Sequence, residues 1–385
     1  MNPQGILIAS GSGRALAEAA RKAGFAPLVA DLFGDADARA ASLASRRAGD
    51  WREGFAPAPL LAALEALAAD GARLGAPPVG LVYGAGFEDR PELVAAMAAR
   101  WPRLGNAPDV LRRAKDPESL AALCRALAVP HPARRRTRPD APEGWLAKAQ
   151  GGAGGTHVVP AAEVDGAGEA EGVYFQRRVG GAPVGVAVLG DGREAIALGA
   201  SRQWTAPAPH EPFRYGGCAR PAGLPAPLDA RLRAAALAMA RALGLKGLNS
   251  VDFLVEGEAF HLIEVNPRPG ATLDVYDAAE APLMGLHVEA CRGRLPRVAP
   301  IFSGAAAAAI AYAPREIAAM PALDWPDWAA DRQSAASFVG EHEPICTVTA
   351  RAGEPFAART LVEERSAALW GAIEKELGER RHEPA

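Results

Sequence analysis

The sequence has little lysine, little cysteine and no long apolar run. Five of the 42 basic residues among its 385 residues are lysines, so arginine is the default cation and the few lysines mark positions to inspect. A compact ammonium and a planar guanidinium are not chemically interchangeable. No apolar stretch approaches the roughly 20 residues of a membrane-spanning helix, and the formal charge of −3 gives no reason to expect nucleic acid or an anionic membrane as partner.

The cysteines are few and widely spaced, without a C-x-x-C pair: Cys124, Cys218, Cys291 and Cys346. That spacing offers no metal-binding or redox motif, and no secretory apolar segment follows Met1. We therefore expect free thiols and a cytoplasmic location.

Residues 1–105 alternate short apolar strands with helical segments, which predicts a βαβ unit around an open parallel sheet. Gly11 and Gly13 follow the first strand and suggest a dinucleotide-binding turn, with Asp31 as a ribose-binding acid. However, the third glycine position of that motif is Leu16. A structural turn is therefore favoured over a nicotinamide site.

A hairpin predicted for residues 249–265 carries the strongest candidate site. Asp252 and Glu264 lie 12 positions apart on adjacent strands, and Glu264 and Asn266 project from the same face of one strand. Two carboxylates and an amide oxygen are hard ligands of the kind that Mg²⁺ takes together with water and substrate phosphates. Arg268 follows on the same side and could neutralise developing negative charge.

Two of the scarce lysines precede recognisable local patterns. Lys115 comes just before a helix with Asp116 as its N-cap, and Lys148 lies in a strand that leads into a glycine-rich turn. The glycines of that turn, which allow close approach of the backbone to a ligand, are Gly151, Gly152, Gly154 and Gly155.

Taken in order, these motifs resemble the ATP-grasp ligases, in the part of that superfamily related to biotin carboxylase. The resemblance covers most of the chain and rests on Lys115, Lys148, the glycine loop, the segment 174–181, Asp252, Glu264, Asn266 and Arg268. The sequence departs from the family pattern at Ala114, where an acid usually precedes the lysine, and at Gln176, where an acid is common.

The resemblance implies a role for each motif. Lys115 and Lys148 would hold ATP phosphates, the glycine loop would close over them, and the segment containing Gln176 and Val179 would hold adenine. The metal ligands would be Asp252, Glu264 and Asn266, binding Mg²⁺ or Mn²⁺, and Arg268 would be catalytic.

The resemblance also implies an α/β fold of three parts. These are a Rossmann-like pre-ATP-grasp domain over 1–105, an ATP-grasp domain over 106–300 with lobes 106–180 and 181–300, and a small C-terminal domain over 301–385. The implied activity is ATP-dependent ligation of a small carboxylate, such as glutamate or another amino acid, to an amine through an acyl phosphate. A homo-oligomer is compatible with it.

The substrates are less constrained. Residues 10–14 and 31–37 look most like a branch of ATP-grasp proteins of C1-metabolising microbes, similar to ligases that join glutamate to an amine in methanofuran-type cofactor synthesis. Candidate substrate residues are Arg202 and Arg214, with Gln203 and Tyr215 beside them in a predicted loop, and Glu88 and Asp89 after the third N-terminal strand. Two alternatives stay open: a carboxylase-like enzyme that phosphorylates bicarbonate or a small acid, and a non-catalytic ATP-binding regulator.

Overall fold

The N-terminal part of the computed structural model is a βαβ unit, as the alternating pattern predicts. The structure describes residues 3–164, 172–279 and 281–380. The first elements are β1 (Gly5–Ser10), α1 (Arg14–Lys22), β2 (Ala26–Asp31), α2 (Ala36–Ala41), β3 (Ala44–Arg47), β4 (Gly49–Asp50), β5 (Gly54–Phe55), α3 (Pro57–Arg73), β6 (Pro78–Tyr83) and α4 (Pro91–Ala98). Strands β3, β2, β1 and β6 form a parallel sheet in that order, and β1 is buried along its whole length.

A second, antiparallel sheet follows after two helices. Its elements are α5 (Pro108–Lys115), α6 (Pro117–Ala126), β7 (Arg134–Arg135), β8 (Trp145–Ala149), β9 (Val158–Pro160) and β10 (Val173–Arg177), with a short 3-10 helix at Ala161–Glu163. The order is β7–β10–β8–β9. The backbone N–H of Ser119 donates to Asp116 at 2.7 Å, which confirms the predicted N-cap.

The largest sheet has eight antiparallel strands. Its elements and the helices around them are β11 (Ala182–Asp191), β12 (Ala195–Thr205), β13 (Tyr215–Arg220), α7 (Ala226–Leu243), β14 (Lys246–Glu256), β15 (Ala259–Asn266), α8 (Leu273–Tyr276), α9 (Leu283–Cys291), β16 (Ala305–Tyr312), β17 (Ala329–Ala330), β18 (Pro344–Ala352) and α10 (Pro355–Arg380). The strand order is β15–β14–β11–β12–β13–β16–β18–β17. The sheet therefore runs across residue 300, where the sequence predicts a domain boundary.

Alternation along β11 shows how the large sheet separates two cores. Val184, Val186 and Val188 join the cluster that includes the buried face of α7. Ala187 and Leu189 point the other way, into the cluster that contains residues of α1 and α9. Side chains of a strand alternate between faces, so both faces of this sheet are covered.

One local prediction differs from the structure. Arg202 and Gln203 belong to β12 and Tyr215 opens β13, rather than lying in one loop. Cross-strand pairing explains the difference, because Arg202 and Gln203 pair with Ala219 and Cys218 of β13. Lys115 precedes the helix capped by Asp116, as predicted, and is itself the last residue of α5.

Within the described ranges, no helix combines the length and apolarity that crossing a bilayer demands.

Candidate functional site

A cavity of about 1200 Å³ lies among the three sheets. Its wall includes the glycine loop, the segment 176–181, the cavity-facing residues of β14 and β15, and the loop after β1. The cavity is larger than the ~300–1,000 Å³ typical of small-molecule sites. Its size is compatible with a nucleotide and a second ligand together.

The hairpin of β14 and β15 brings the predicted metal ligands together. Asp252 pairs directly with Glu264 in the strand register, and Ser250 pairs with Asn266. The amide Nδ2 of Asn266 donates to Asp252 Oδ2 at 2.8 Å. All three predicted ligands line the cavity, while Val251 and Val265 between them face the hydrophobic core.

Lys115 lies against this oxygen set. Its ammonium donates to Asn266 Oδ1 at 3.0 Å and to Glu264 Oε1. The lysine is buried, and it is not among the described residues that line the cavity. In this structure Lys115 therefore supplies the positive charge that balances Glu264.

The two carboxyl groups of this set have shifted pKa values. Burial and the neighbouring Glu264 raise the pKa of Asp252 to about 7. Burial would also raise the pKa of Glu264, but Lys115 and Lys148 outweigh it and lower that pKa. A bound divalent cation would relieve the repulsion between the two acids, and their oxygens with the amide of Asn266 are ligands that Mg²⁺ accepts. No group of three or more His, Cys, Asp or Glu side chains is placed to hold a metal in the described residues, and this site combines only two acids with an amide.

Lys148 enters the cavity from β8, which belongs to the four-stranded antiparallel sheet and not to the sheet of the hairpin. Its Nζ donates to Gln176 Oε1 at 3.3 Å, and the other end of the Gln176 amide lies 3.5 Å from Nε2 of His131. Burial lowers the pKa of Lys148. Gln176 and Val179 both line the cavity beside it, where the resemblance predicts adenine.

The glycine loop connects β8 and β9, which pair as the predicted hairpin. Gly151, Gly154 and Gly155 have φ angles of 78°, 70° and 77°, a region that favours glycine. A Cβ on Gly155 would lie 2.0 Å from the carbonyl oxygen of Phe213, and one on Gly152 would lie 2.1 Å from the ring of His157. The loop therefore packs closely against its neighbours, and Gly154 and Gly155 line the cavity.

Arg268 is held by an acid of the N-terminal unit. Its Nε donates to Glu88 Oε1 at 2.7 Å, and Glu88 Oε2 accepts the backbone N–H groups of Gly86 and Phe87. Burial would raise the pKa of Glu88, but the charges of Arg268 and Lys115 lower it to about 2. Glu88, a candidate from the sequence, therefore contributes to the site by holding the guanidinium of Arg268 in place.

The predicted substrate arginines do not reach the cavity wall. Arg202 Nε donates to the carbonyl of Ala222 at 3.3 Å, and Arg214 donates to the carbonyls of Ala206 and His342 at 2.8 and 2.6 Å. Their guanidinium groups are bonded to backbone rather than directed at a ligand. Of the same group of candidates, Gln203 and Tyr215 do line the cavity.

A buried charge cluster in the cavity wall is not predicted by the sequence. Arg14 Nη2 donates to Asp331 Oδ2 at 2.7 Å and to Asp274 Oδ2 at 3.1 Å, and Ser12 Oγ donates to Asp331 Oδ1 at 2.8 Å. All four residues line the cavity. The missed cavity residues also include His157 of the glycine hairpin, whose pKa is lowered by burial. No local pattern signals the cluster, because its members are up to 319 positions apart.

Comparison with known proteins agrees with this architecture. Residues 118–272 match the family model of the ATP-grasp domain. A stretch of 76 residues is 41% identical to the D-alanine–D-alanine ligase of Oleidesulfovibrio alaskensis, covering 20% of this chain and 25% of that protein. The matches span a quarter or less of the length of the curated relatives found.

Solved structures resemble nearly the whole chain. Biotin carboxylase from Campylobacter jejuni superposes with a TM-score of 0.66 at 16% identity, covering 92% of this chain and 89% of that one. N5-carboxyaminoimidazole ribonucleotide synthetase from Thermotoga maritima gives 0.65 at 14% identity, covering 94% and 98%. At these identities the likeness shows the fold, and it confirms the predicted ATP-grasp architecture.

Proposed function

Because residues 118–272 are an ATP-grasp domain and the chain belongs to the ATP-grasp superfamily, we propose that the protein is an ATP-dependent ligase. It would join a small carboxylate to an amine, with ADP and phosphate as the other products. The observation that carries the proposal is the convergence of Asp252, Glu264, Asn266 and Arg268 on one cavity that Lys148 also lines. A site that only bound ATP would have no need of a buried, fixed arginine beside the acids.

The first chemical step would activate the carboxylate. Its oxygen bonds to the γ-phosphorus of ATP while the bond from that phosphorus to the β-phosphate oxygen breaks, releasing ADP. Lys148, and Lys115 once released from Glu264, would neutralise phosphate oxygens. Asp252, Glu264 and Asn266 would hold Mg²⁺, which would supply further positive charge for the phosphates.

The second step would form the product. The amine nitrogen bonds to the carbonyl carbon of the acyl phosphate, and phosphate and a proton leave. Arg268, held by Glu88 at 2.7 Å, would stabilise the oxyanion that develops on the carbonyl oxygen. No enzyme nucleophile is needed for either step.

The test is ADP and phosphate release from ATP and Mg²⁺ with pools of amino acids and amines. We expect release only when an acid and an amine are both present. Release that depends on bicarbonate would instead support the carboxylase alternative, which the likeness to biotin carboxylase favours. Absence of ADP with every combination would contradict both enzymatic proposals and support an ATP-binding regulator.

A further inference from the structure

Acids dominate the part of the cavity wall around Arg14. Arg14 is the cation at its centre, and Asp274 and Asp331 both bind its guanidinium. Asp331 also accepts from Thr347 Oγ1 at 2.6 Å, and its backbone N–H donates to Asp37 at 2.7 Å. Because Arg14 is fully engaged by carboxylates, it is not available to bind an anionic substrate.

A further acid beside this cluster has no partner. Asp35 is 5% exposed, and its carboxylate accepts no hydrogen bond and forms no ion pair with any described residue. It precedes α2 without capping it. Burial, followed by the nearby Asp331, Asp31 and Asp37, raises the pKa of Asp35 to about 8, although the charge of Arg14 opposes this. A buried carboxylate without donors is costly unless something compensates it.

Asp35 lines a second cavity of about 570 Å³ that adjoins the first. Leu32, Phe33 and Trp51 line both cavities, and the rings of Phe33 and Trp51 stack with centroids 6.3 Å apart. The arginines of the second cavity already have partners: Arg39 bonds to the carbonyl of Gly34, Arg47 to Asp50 and Arg52 to Glu343. Asp35 is therefore the acid of this cavity that is available to bind a ligand.

We propose that this junction binds an ammonium group of a substrate, with Asp35 as its counter-ion and Phe33 and Trp51 as its apolar wall. The inference rests on the proposed ligase function and names the charge of one substrate. The bound ammonium cannot be the nucleophile, because a protonated amine has no free electron pair. It belongs either to a second amino group of the amine substrate or to the α-amino group of an amino-acid substrate.

The test is calorimetric titration of the ATP-free protein with two probes, 1,4-diaminobutane and L-glutamate. We expect one of them to bind, and Asp35→Asn to weaken that binding about tenfold to a hundredfold, the worth of a charge-assisted contact. Binding of the diamine identifies the amine substrate as the source, and binding of glutamate identifies the acid substrate. At pH 7 binding should release up to about one proton, seen as a heat that depends on the buffer, because Asp35 must ionise.

Matched controls separate recognition from structure. Asp70→Asn removes the same charge from an acid of the same unit outside both cavities, and it should leave probe binding unchanged. Asp35→Asn should keep or raise the melting temperature, since a buried carboxyl that is mostly protonated at pH 7 and has no hydrogen-bond partner has no contact to lose. A structural role would lower that temperature instead.

Three results would overturn the proposal: neither probe binds at millimolar concentration, 1,4-butanediol binds as tightly as the diamine, or Asp35→Asn and Asp70→Asn behave alike. ATP turnover is measured separately with the pools described above. Probe binding without turnover would overturn the ligase function while leaving an ammonium site. Turnover without probe binding would overturn the ammonium site while leaving the ligase function.

Discussion

Replacing Glu88 by glutamine should disable the site without touching any residue of the metal set. Glu88 uses one carboxylate oxygen for Arg268 Nε and the other for the backbone N–H groups of Gly86 and Phe87. Glutamine has the same size but only one acceptor oxygen, and its NH₂ would face a donor on one side. Arg268 would also lose its charge partner while its side chain stays largely shielded from solvent, 11% exposed.

The size of the effect follows from the pKa of Glu88. A pKa of about 2 instead of 4.5 corresponds to about 3 kcal/mol of stabilisation of the charged form. This agrees with the ~3–5 kcal/mol cost of removing one partner of a buried ion pair. We expect Glu88→Gln to lower the free energy of unfolding by about 3 kcal/mol at pH 7 and kcat by at least about tenfold, since Arg268 is no longer fixed.

The sign of the pH dependence follows from the lowered pKa. The contribution of Glu88 is fully present above its ordinary pKa near 4.5 and is lost as the pH falls through about 2. The difference in stability between Glu88→Gln and the parent protein should therefore narrow as the pH falls from 4.5 towards 2.

Urea unfolding and ADP release measure the two effects. Glu92→Gln is the matched control, because Glu92 forms an exposed ion pair with Arg112 and such pairs contribute little. A loss of stability below about 1 kcal/mol at pH 7, where a buried pair predicts about 3–5 kcal/mol, would refute the reasoning. So would a kcat equal to that of the control.

Three further substitutions test the rest of the wall. Glu264→Ala should abolish ADP release while circular dichroism stays that of the parent, and retained turnover would remove the metal assignment. Lys148→Arg should weaken ATP binding, measured by calorimetry, because a wider guanidinium must fit a buried position; Lys22→Arg, at a partly exposed ion pair, should not. Gly155→Ala should raise the KM for ATP more than Gly154→Ala, because both have positive φ but only the Gly155 Cβ would strike a neighbour. Equal effects of the two glycine substitutions would contradict that contact.

Local pattern was sufficient to locate the hairpin site. Asp252, Glu264 and Asn266 lie in a two-strand unit joined by a tight turn, where a period of two decides which side chains share a face. The same holds for Lys148 and the glycine loop, whose neighbours in sequence are also neighbours in the hairpin. Their roles in binding ATP and metal stay predictions.

Contacts between residues far apart in the sequence could not be predicted from local pattern. The Arg14 cluster joins residues 260 and 317 positions apart, and no periodicity links them. Strand β16 gives a second example, because six of its eight residues are alanine, a strong helix former. Pairing with β13 on one side and β18 on the other overrides that preference.

The continuous eight-stranded sheet also limits which parts of the molecule can move. Strands from both sides of residue 300 belong to one hydrogen-bonded sheet. A rotation of the residues after 300 relative to those before it would therefore break the backbone pairing between β13 and β16. Among the residues that the structure describes, the four-stranded sheet that carries Lys148 has no strand paired with the large sheet, and Gly180 and Gly181 lie between β10 and β11. Opening around a nucleotide would therefore bend the chain at Gly180 and Gly181 and break the 2.8 Å backbone hydrogen bond from Tyr215 N–H to the carbonyl of Gly154, while the acids and Arg268 stay with the large sheet.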